Sequence, residues 1–182
     1  MTDNTVTKED LLRDYWGYVR QTIKKYGGKE FIVTQSGSLT YTEANQRANV
    51  VCAAIQQQTQ LVHSGVGLFI KDHLKIIPAM IGVLKSSNYM IPLDVSFPVD
   101  TLQRMFESAN IRLILTSEEH KERLKTIVGN SLPVINLDDL SYEEFIPDPI
   151  VKYQPEDMVQ IMFTSGSTGT PKGAIEDYRY LV

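Results

Sequence analysis

The sequence has little of the chemistry that cysteine and histidine would supply. Its 182 residues include one cysteine, Cys52, and three histidines that lie far apart, His63, His73 and His120. A single cysteine excludes an internal disulfide, which is typical of a reducing compartment, and no metal-ligand spacing links it to a histidine. Cys52 lies in an apolar segment with helical spacing, so we expect a small core side chain and not a nucleophile.

Long apolar runs and an excess of basic residues are also missing. No stretch approaches the length of a membrane span, and the polar residues 1–10 lack the apolar core of a signal peptide. The formal net charge of −4 argues against a nucleic-acid-binding face, which is basic. We therefore expect a soluble cytoplasmic protein with no membrane and no nucleic-acid partner. The length suits one domain with a core of ordinary size.

What the sequence does have is a regular alternation of apolar runs and amphipathic segments. Apolar runs at 66–70, 89–93, 111–115 and 133–137 recur about every 22 residues. That interval fits strand, helix and strand, and runs without polar interruption are typical of strands covered on both faces. We predict an α/β fold with a largely parallel sheet flanked by helices and joined by right-handed crossovers.

The amphipathic segments have apolar faces at helical spacing. Residues 7–10 can cap a first helix that ends at 27–28, residues 31–41 indicate a hairpin, and Thr42 can cap a second helix. Pro78 either kinks the third helix or marks its beginning. The predicted buried faces are Leu12, Tyr15, Trp16, Val19, Ile23 and Tyr26, then Ala44, Ala48, Val51 and Ile55, then Leu74, Ile77, Ile81 and Leu84, then Leu102, Met105, Phe106 and Ala109.

Three other features have ordinary structural explanations. The stretch 138–157 is acidic and interrupted by prolines, which predicts an irregular, solvated connector across the surface. Asp94 follows a predicted strand, but a carboxylate that forms the turn before the next helix explains it, and we assign it no catalytic role. The pair Gly65 and Gly67 precedes a strand and has no third glycine, which argues against a dinucleotide site.

The stretch with the clearest chemistry is residues 164–173, which contains three glycines, five hydroxyl side chains and Lys172. It lies between apolar runs at 158–163 and 174–175, which predicts a loop between two strands. Glycines let the backbone approach a ligand, while hydroxyls and a lysine supply donors and positive charge, as a polyphosphate requires. A flexible linker is the alternative, although Pro171 and Lys172 interrupt that composition. Lys172 lies between Pro171 and Gly173, so the loop is not a Walker A element.

Residues 161–173 closely resemble the phosphate-binding signature of the adenylate-forming superfamily, in particular the adenylation domains of non-ribosomal peptide synthetases. Residues 39–45 resemble the opening signature of those domains, with Ala44 where a leucine is usual. Residues 84–94 are a further point of resemblance, although the family usually has small residues and glycines at 86–88. The family also commonly has a histidine where this sequence has Tyr178.

The resemblance implies that the loop covers the β- and γ-phosphates of ATP while a carboxylate attacks the α-phosphorus. It implies ATP with Mg²⁺ in the intact enzyme, a carboxylic acid, in particular an amino acid, as substrate, and a phosphopantetheine carrier domain as a partner. We assign no catalytic residue and no metal ligand. Lys172 is the foremost candidate, whereas Thr168 and Thr170 can equally satisfy neighbouring backbone groups. The phosphate-contacting candidates are Thr164, Ser165, Gly166, Ser167, Thr168, Gly169 and Lys172.

The resemblance covers nearly the whole chain but only the amino-terminal part of the family. Residues 1–182 then form the N-terminal portion of an adenylation (AMP-binding) domain, without the C-terminal portion and the mobile lysine-bearing domain. We expect no adenylation by this portion alone, and self-association through exposed apolar surface. Two alternatives stay open: a non-catalytic phosphate-binding or interaction module, and a fragment of an acyl- or aryl-CoA ligase.

Overall fold

The amino-terminal part of the chain forms two long helices with a hairpin between them. The computed structural model describes residues 6–164 and 171–182. The hairpin buries Ile32 and Leu39 against Ala44, and Leu74 packs at the edge of this small cluster. In chain order the elements are helix α1 (Lys8–Tyr26), strands β1 (Glu30–Thr34) and β2 (Gly37–Thr40), which pair antiparallel, and helix α2 (Tyr41–Gln58).

The cap of α2 differs from the one predicted, because Thr40 and not Thr42 precedes the helix. The Thr40 side chain accepts a hydrogen bond from the Glu43 amide at 3.2 Å, and the Glu43 carboxylate accepts one from the Thr40 amide at 2.8 Å. This reciprocal capping box requires a glutamate three residues after the cap, which Thr40 has and Thr42 lacks. Thr42 therefore lies within the first turn.

Helix α1 is capped as predicted but contains a kink. Thr7 forms a capping box with Asp10, whereas Asp14 has non-helical torsion angles of φ −150° and ψ 55°. The Asp14 carboxylate accepts a hydrogen bond from the Gly17 amide at 2.9 Å, so it caps the helical turns that follow. Of the predicted apolar face, Trp16 is buried in the core, whereas Leu12, Tyr15 and Val19 are only partly buried against it.

The apolar runs form one central sheet with helices on both faces. The strand order is β6-β5-β3-β4-β7-β8, and all neighbours are parallel except the antiparallel edge pair β7 and β8. The elements are β3 (Gly65–Phe69), α3 (His73–Lys85), β4 (Tyr89–Pro92), α4 (Val99–Ser108), β5 (Ile111–Thr116), α5 (Glu118–Val128), β6 (Val134–Asn136), β7 (Met158–Thr164) and β8 (Lys172–Asp177).

Alternating strand residues divide the core into two apolar layers. Val66 and Leu68 face α1, α2 and α3, whereas Phe69 packs with α4 and α5 on the opposite face. This arrangement confirms the predicted α/β class and the largely parallel sheet.

Cys52 is buried in α2, where burial raises the pKa of its thiol to about 11, as expected of an unreactive core cysteine. Among the residues that the structure describes, no helix has the length and apolar character needed to cross a membrane.

Pro78 lies inside α3, five residues after its first residue, His73. The helix is capped by Asp72, whose carboxylate accepts a hydrogen bond from the Leu74 amide at 2.9 Å. Proline has no amide hydrogen to donate to the carbonyl four residues earlier, which is that of Leu74. Arg47 of α2 approaches this carbonyl at 3.5 Å instead, so a neighbouring helix compensates for the missing bond.

The crossing of α2 and α3 depends on a glycine. A Cβ atom at Gly82 would lie 2.8 Å from the backbone oxygen of Ala48 and 2.8 Å from Cβ of Val51. We expect Gly82→Ala to lower the free energy of unfolding by about 1–3 kcal/mol, as overpacking in a tight core does. Urea denaturation measures the change. The matched control is Gly28→Ala, which has no heavy atom within 4 Å of its added Cβ and should stay close to wild type; equal stability of both variants would contradict the packing.

Candidate functional site

The predicted phosphate loop joins two antiparallel strands at the edge of the sheet. Thr164, the last residue of β7, is the register partner of Lys172, the first residue of β8, and the Thr164 hydroxyl lies 3.4 Å from the Lys172 carbonyl oxygen. Both side chains are exposed. The predicted strand, loop and strand arrangement is confirmed on both sides of the loop. The candidates Ser165, Gly166, Ser167, Thr168 and Gly169 lie outside the described residues.

The neck of the hairpin, which is the end of the β7–β8 pair at residues 163–164 and 172–173, is close-packed. Gly173 is paired with Phe163, and a Cβ atom at Gly173 would lie 2.8 Å from Cγ2 of Ile161. A larger residue at this position would therefore push β8 away from β7 next to Lys172. Further along the same pair of strands, Gln160 donates a side-chain hydrogen bond to Glu176. These contacts fix the register that brings Thr164 and Lys172 together.

The loop begins at the edge of the sheet where the parallel strands end. In open α/β sheets, ligands bind in the crevice outside the carboxyl ends of the strands. A cavity of about 630 Å³ occupies this edge and adjoins β7. Its lining comes from the ends of β3, β4 and β7 and the segments after them: Ile70, Lys71, His73, Ile76, Pro92, Leu93, Asp94, Val95, Ser96, Phe97, Met105, Met162 and Phe163.

Asp94 lines this cavity but is engaged in a turn. One of its carboxylate oxygens accepts hydrogen bonds from the Ser96 amide at 2.8 Å and from the Ser96 hydroxyl at 2.6 Å. These bonds hold the pKa of Asp94 below its usual value. The geometry confirms that Asp94 forms the turn before α4.

The root of the hairpin, where β7 begins and β8 ends, is held by aromatic side chains. Tyr178 follows β8 directly, is buried, and donates its amide hydrogen to the carbonyl of Asp157 at 2.8 Å. Its ring stacks on Tyr153 with centroids 5.2 Å apart and planes 7° apart, and meets the edge of Tyr15 at 6.1 Å. This position, where the resembling family commonly has a histidine, is therefore a packing position in this chain.

The connector before β7 is irregular, as predicted, but it is solvated only in part. Phe145 and Ile150 are exposed, whereas Asp148 pairs with Lys85 at 2.7 Å, and Lys85 is buried. The hydroxyl of Tyr153 donates a hydrogen bond to the carbonyl of Leu84 at 2.7 Å. The prediction of a solvated connector was wrong at Asp148 and Tyr153, because their partners at the end of α3 are distant in sequence.

A parallel α/β sheet whose edge hairpin carries a glycine- and hydroxyl-rich loop is the arrangement of the N-terminal part of adenylate-forming enzymes. A model of the AMP-binding enzyme family matches residues 19–182, and the chain belongs to that family. The resemblance to peptide-synthetase adenylation domains is likewise confirmed by the similar proteins described next.

Two of the similar proteins are bacterial peptide synthetases. Gramicidin S synthase 2 of Brevibacillus brevis is 27% identical over 181 residues, which cover 99% of this chain and 4% of the synthase. Surfactin synthase subunit 3 of Bacillus subtilis (strain 168) is 32% identical over 144 residues, which cover 79% of this chain and 11% of that subunit. The chain thus spans a small part of the length of the curated relatives it matches.

A solved structure shows the same fold. FmoA3, a nonribosomal peptide synthetase crystallised with α-methyl-L-serine-AMP, superposes with a TM-score of 0.75 at 22% identity. The match covers 93% of this chain and 18% of that chain. The fold of residues described here is therefore that of the N-terminal subdomain of an adenylate-forming enzyme.

The aromatic packing at the root of the hairpin generates a stability prediction. Tyr178→Ala removes a buried ring and should lower the free energy of unfolding by about 3–5 kcal/mol. Tyr178→Phe keeps the ring and should cost less than about 1.5 kcal/mol, as volume-conserving changes do. Urea denaturation followed by the fluorescence of Trp16 measures both changes. An alanine variant as stable as the phenylalanine variant would show that the ring does not stabilise the fold.

Proposed function

We propose that this chain is the N-terminal portion of an ATP-dependent enzyme that activates the carboxylate of an amino acid as an acyl-adenylate. The 164–172 loop would hold the β- and γ-phosphates of ATP. The observation that carries this proposal is the pairing of Thr164 with Lys172 at the neck of the loop, beside the ligand-binding edge of the sheet. The family match and the similarity to peptide synthetases support the substrate class.

The chemistry requires positive charge because a carboxylate and a triphosphate repel each other. Lys172 would offset the negative charge of the β- and γ-phosphates. The negative charge on the departing pyrophosphate increases as its bond to the α-phosphorus breaks, so the lysine would stabilise this step. The hydroxyls and amides of the loop would supply the further donors that hold the triphosphate in line for attack. The proposed contact residues are Thr164, Ser165, Gly166, Ser167, Thr168, Gly169 and Lys172.

Mg²⁺ would enter bound to ATP. The described residues contain no group of three or more His, Cys, Asp or Glu side chains that could hold a metal ion, and we assign none of them as a metal ligand. The remaining parts of the site, including the contacts that select the amino acid, belong in this proposal to the portion that the longer relatives have after the matched region. A phosphopantetheine carrier domain would accept the activated acid. The proposed location is the cytoplasm.

The role of Lys172 can be tested on the chain itself. Lys172→Ala should weaken the binding of MgATP about 10- to 100-fold, because a charge-assisted hydrogen bond contributes roughly 1.5–3 kcal/mol. Isothermal titration calorimetry measures the dissociation constant. Lys125→Ala is the control, because it removes the same charge from an exposed lysine of α5 that is distant from the loop in sequence. Equal affinities of the two variants would exclude Lys172 as a phosphate contact.

The activity itself requires the longer protein. The test is amino-acid-dependent exchange of labelled pyrophosphate into ATP, scanned across amino acids, with the open reading frame that contains these 182 residues. We expect exchange with one or a few amino acids. Exchange with fatty or aryl acids alone would favour an acyl- or aryl-CoA ligase, and binding of ATP with no exchange would favour a non-catalytic module.

We also propose that the isolated chain associates with a second copy through β8. Among the described residues β8 pairs only with β7, and its Ile175 is 67% exposed. An antiparallel pairing of two β8 strands centred between Ala174 and Ile175 would place Lys172 of each copy opposite Asp177 of the other. An open edge with an exposed apolar residue favours such pairing.

Light scattering of the isolated chain tests this pairing. We expect a dimer, and Ile175→Lys should convert it to a monomer because a charge on an edge strand opposes pairing. Val134→Lys places the same charge on β6, the opposite edge of the sheet, and should leave the dimer intact. A monomeric wild type, or a dimer that persists in Ile175→Lys, would overturn the proposal.

A further inference from the structure

Lys85, the last residue of α3, has a buried ammonium group with three acceptors. Its Nζ donates hydrogen bonds to the side-chain oxygens of Asn45 at 2.6 Å, Asn49 at 2.6 Å and Asp148 at 2.7 Å. Only 3% of the Lys85 side chain is exposed. Three acceptor oxygens require three N–H donors, which a lysine has only when it is protonated. The site therefore holds a charged lysine inside the protein.

The partners of Lys85 also bond to one another. The amide nitrogens of Asn45 and Asn49 each donate to the same Asp148 oxygen at 3.0 Å, and Asn49 also donates to the carbonyl of Ile146 at 2.9 Å. Burial lowers the pKa of Lys85, although the Asp148 carboxylate partly offsets this effect. Burial acts to raise the pKa of Asp148, but hydrogen bonds from Lys85 and Asn45 leave it below its usual value. The network joins α2, α3 and the connector.

This network continues to the hairpin that carries the loop. Five residues after Asp148, Tyr153 donates to the carbonyl of Leu84, the neighbour of Lys85. The ring of Tyr153 stacks on Tyr178, which follows β8, and the Tyr178 amide donates to Asp157, just before β7. The end of α3 is thus linked through Tyr153 and Tyr178 to the residues that flank both strands at the root of the hairpin.

The aromatic ring of Trp16 closes the network from the side of α1. Its centroid lies 5.8 Å from Nζ of Lys85, within the range of a cation–π contact. Trp16 and Lys85 are both buried, so little water reaches the ammonium. Low access to water strengthens the attraction between Lys85 and Asp148 and makes the loss of either partner costly.

We infer that Lys85 is a positioning residue for the hairpin of β7 and β8, which carries the phosphate loop. Its three acceptors lie outside the loop strands, on α2 and the connector, and through Asp148 it holds the connector that leads into the hairpin. The inference rests on the proposed function and extends it, since it concerns how the hairpin that carries the loop is anchored at its root. It also gives a physical role to two stretches that resemble the family, because residues 39–45 supply Asn45 and residues 84–94 supply Lys85.

Lys85 could position the hairpin or only stabilise the whole fold, and hydrogen exchange distinguishes these two roles. In Lys85→Met, a positioning role should speed amide exchange at least about tenfold in 158–164 and 172–178 and leave 65–69 and 111–116 as in wild type, since the hairpin opens locally. General loss of stability should speed exchange in all four segments alike. Mass spectrometry of the whole chain resolves these segments as peptides.

Lys75→Met is the matched control, because Lys75 lies on the same helix and forms an ion pair with Asp138 at the surface. It should leave exchange in the hairpin unchanged. Three results would each overturn the inference. They are exchange in Lys85→Met that is faster in all four segments alike, exchange in its hairpin that is as slow as in wild type, and faster exchange in the hairpin of Lys75→Met. If Lys85→Met does not fold, Asp148→Asn decides, since it removes the charge that pairs with Lys85 and keeps the size of the side chain. Faster exchange confined to the hairpin supports the inference, and any other pattern overturns it.

The exchange experiment is independent of nucleotide binding. If wild type binds no MgATP, the proposed function fails, but the exchange pattern still decides whether Lys85 positions the hairpin. If wild type binds MgATP, Lys85→Met should weaken binding several-fold although Lys172 is intact, and Lys75→Met should not. If Lys85→Met binds MgATP as tightly as wild type, then Lys85 affects only the root of the hairpin, and its proposed effect on the loop is overturned.

Discussion

The charge of Lys85 is held inside the protein by three oxygen atoms, and the packing at the root of the loop-bearing hairpin rests on this contact. Asn45 and Asn49 lie on α2, Lys85 ends α3, and Asp148 lies on the connector, so one ammonium group joins three segments that are distant in sequence. A buried charge is tolerated only with such complete pairing. Because the pairing includes Asp148, the connector cannot move freely, and the hairpin that follows it is held to the body of the sheet.

The sheet and the network perform separate tasks. The parallel strands β3, β4 and β5 form a rigid core that is covered on both faces, and their carboxyl ends leave a cavity. The hairpin of β7 and β8 lies at one edge, where β7 pairs with β4. The sheet therefore provides the edge at which a ligand can bind, while Lys85, Tyr153 and Tyr178 hold the root of the loop-bearing hairpin at the opposite end of the strands. In the proposed function, the exposed Lys172 connects this arrangement to ATP.

Much of the fold could be predicted because its strands are parallel and buried on both faces. Such strands are continuous apolar runs, and their regular interval indicated the crossovers; the loop between β7 and β8 was found from its glycines and hydroxyls. The order of the strands could not be predicted, because it depends on pairing between distant segments. The cap at Thr40 was missed although Glu43, three residues later, is a local signal for it.

The network around Lys85 was beyond sequence reasoning for a physical reason. Its three acceptors lie 40, 36 and 63 residues away along the chain, and no local pattern marks them. A lysine at the end of an apolar helix is typical of a solvated C-terminus, so composition indicates the opposite of burial. Similarly, the packing role of Tyr178 could not be predicted, because its ring contacts Tyr153 and Tyr15, which are distant in sequence.

The central claim is that the loop closed by Thr164 and Lys172 holds the triphosphate of ATP. A crystal structure of the chain grown with MgATP tests it most directly. The account predicts the β- and γ-phosphates within hydrogen-bonding distance of Nζ of Lys172, at the edge of the sheet where β3 and β4 end. ATP bound elsewhere, with Lys172 directed into solvent, would contradict the account.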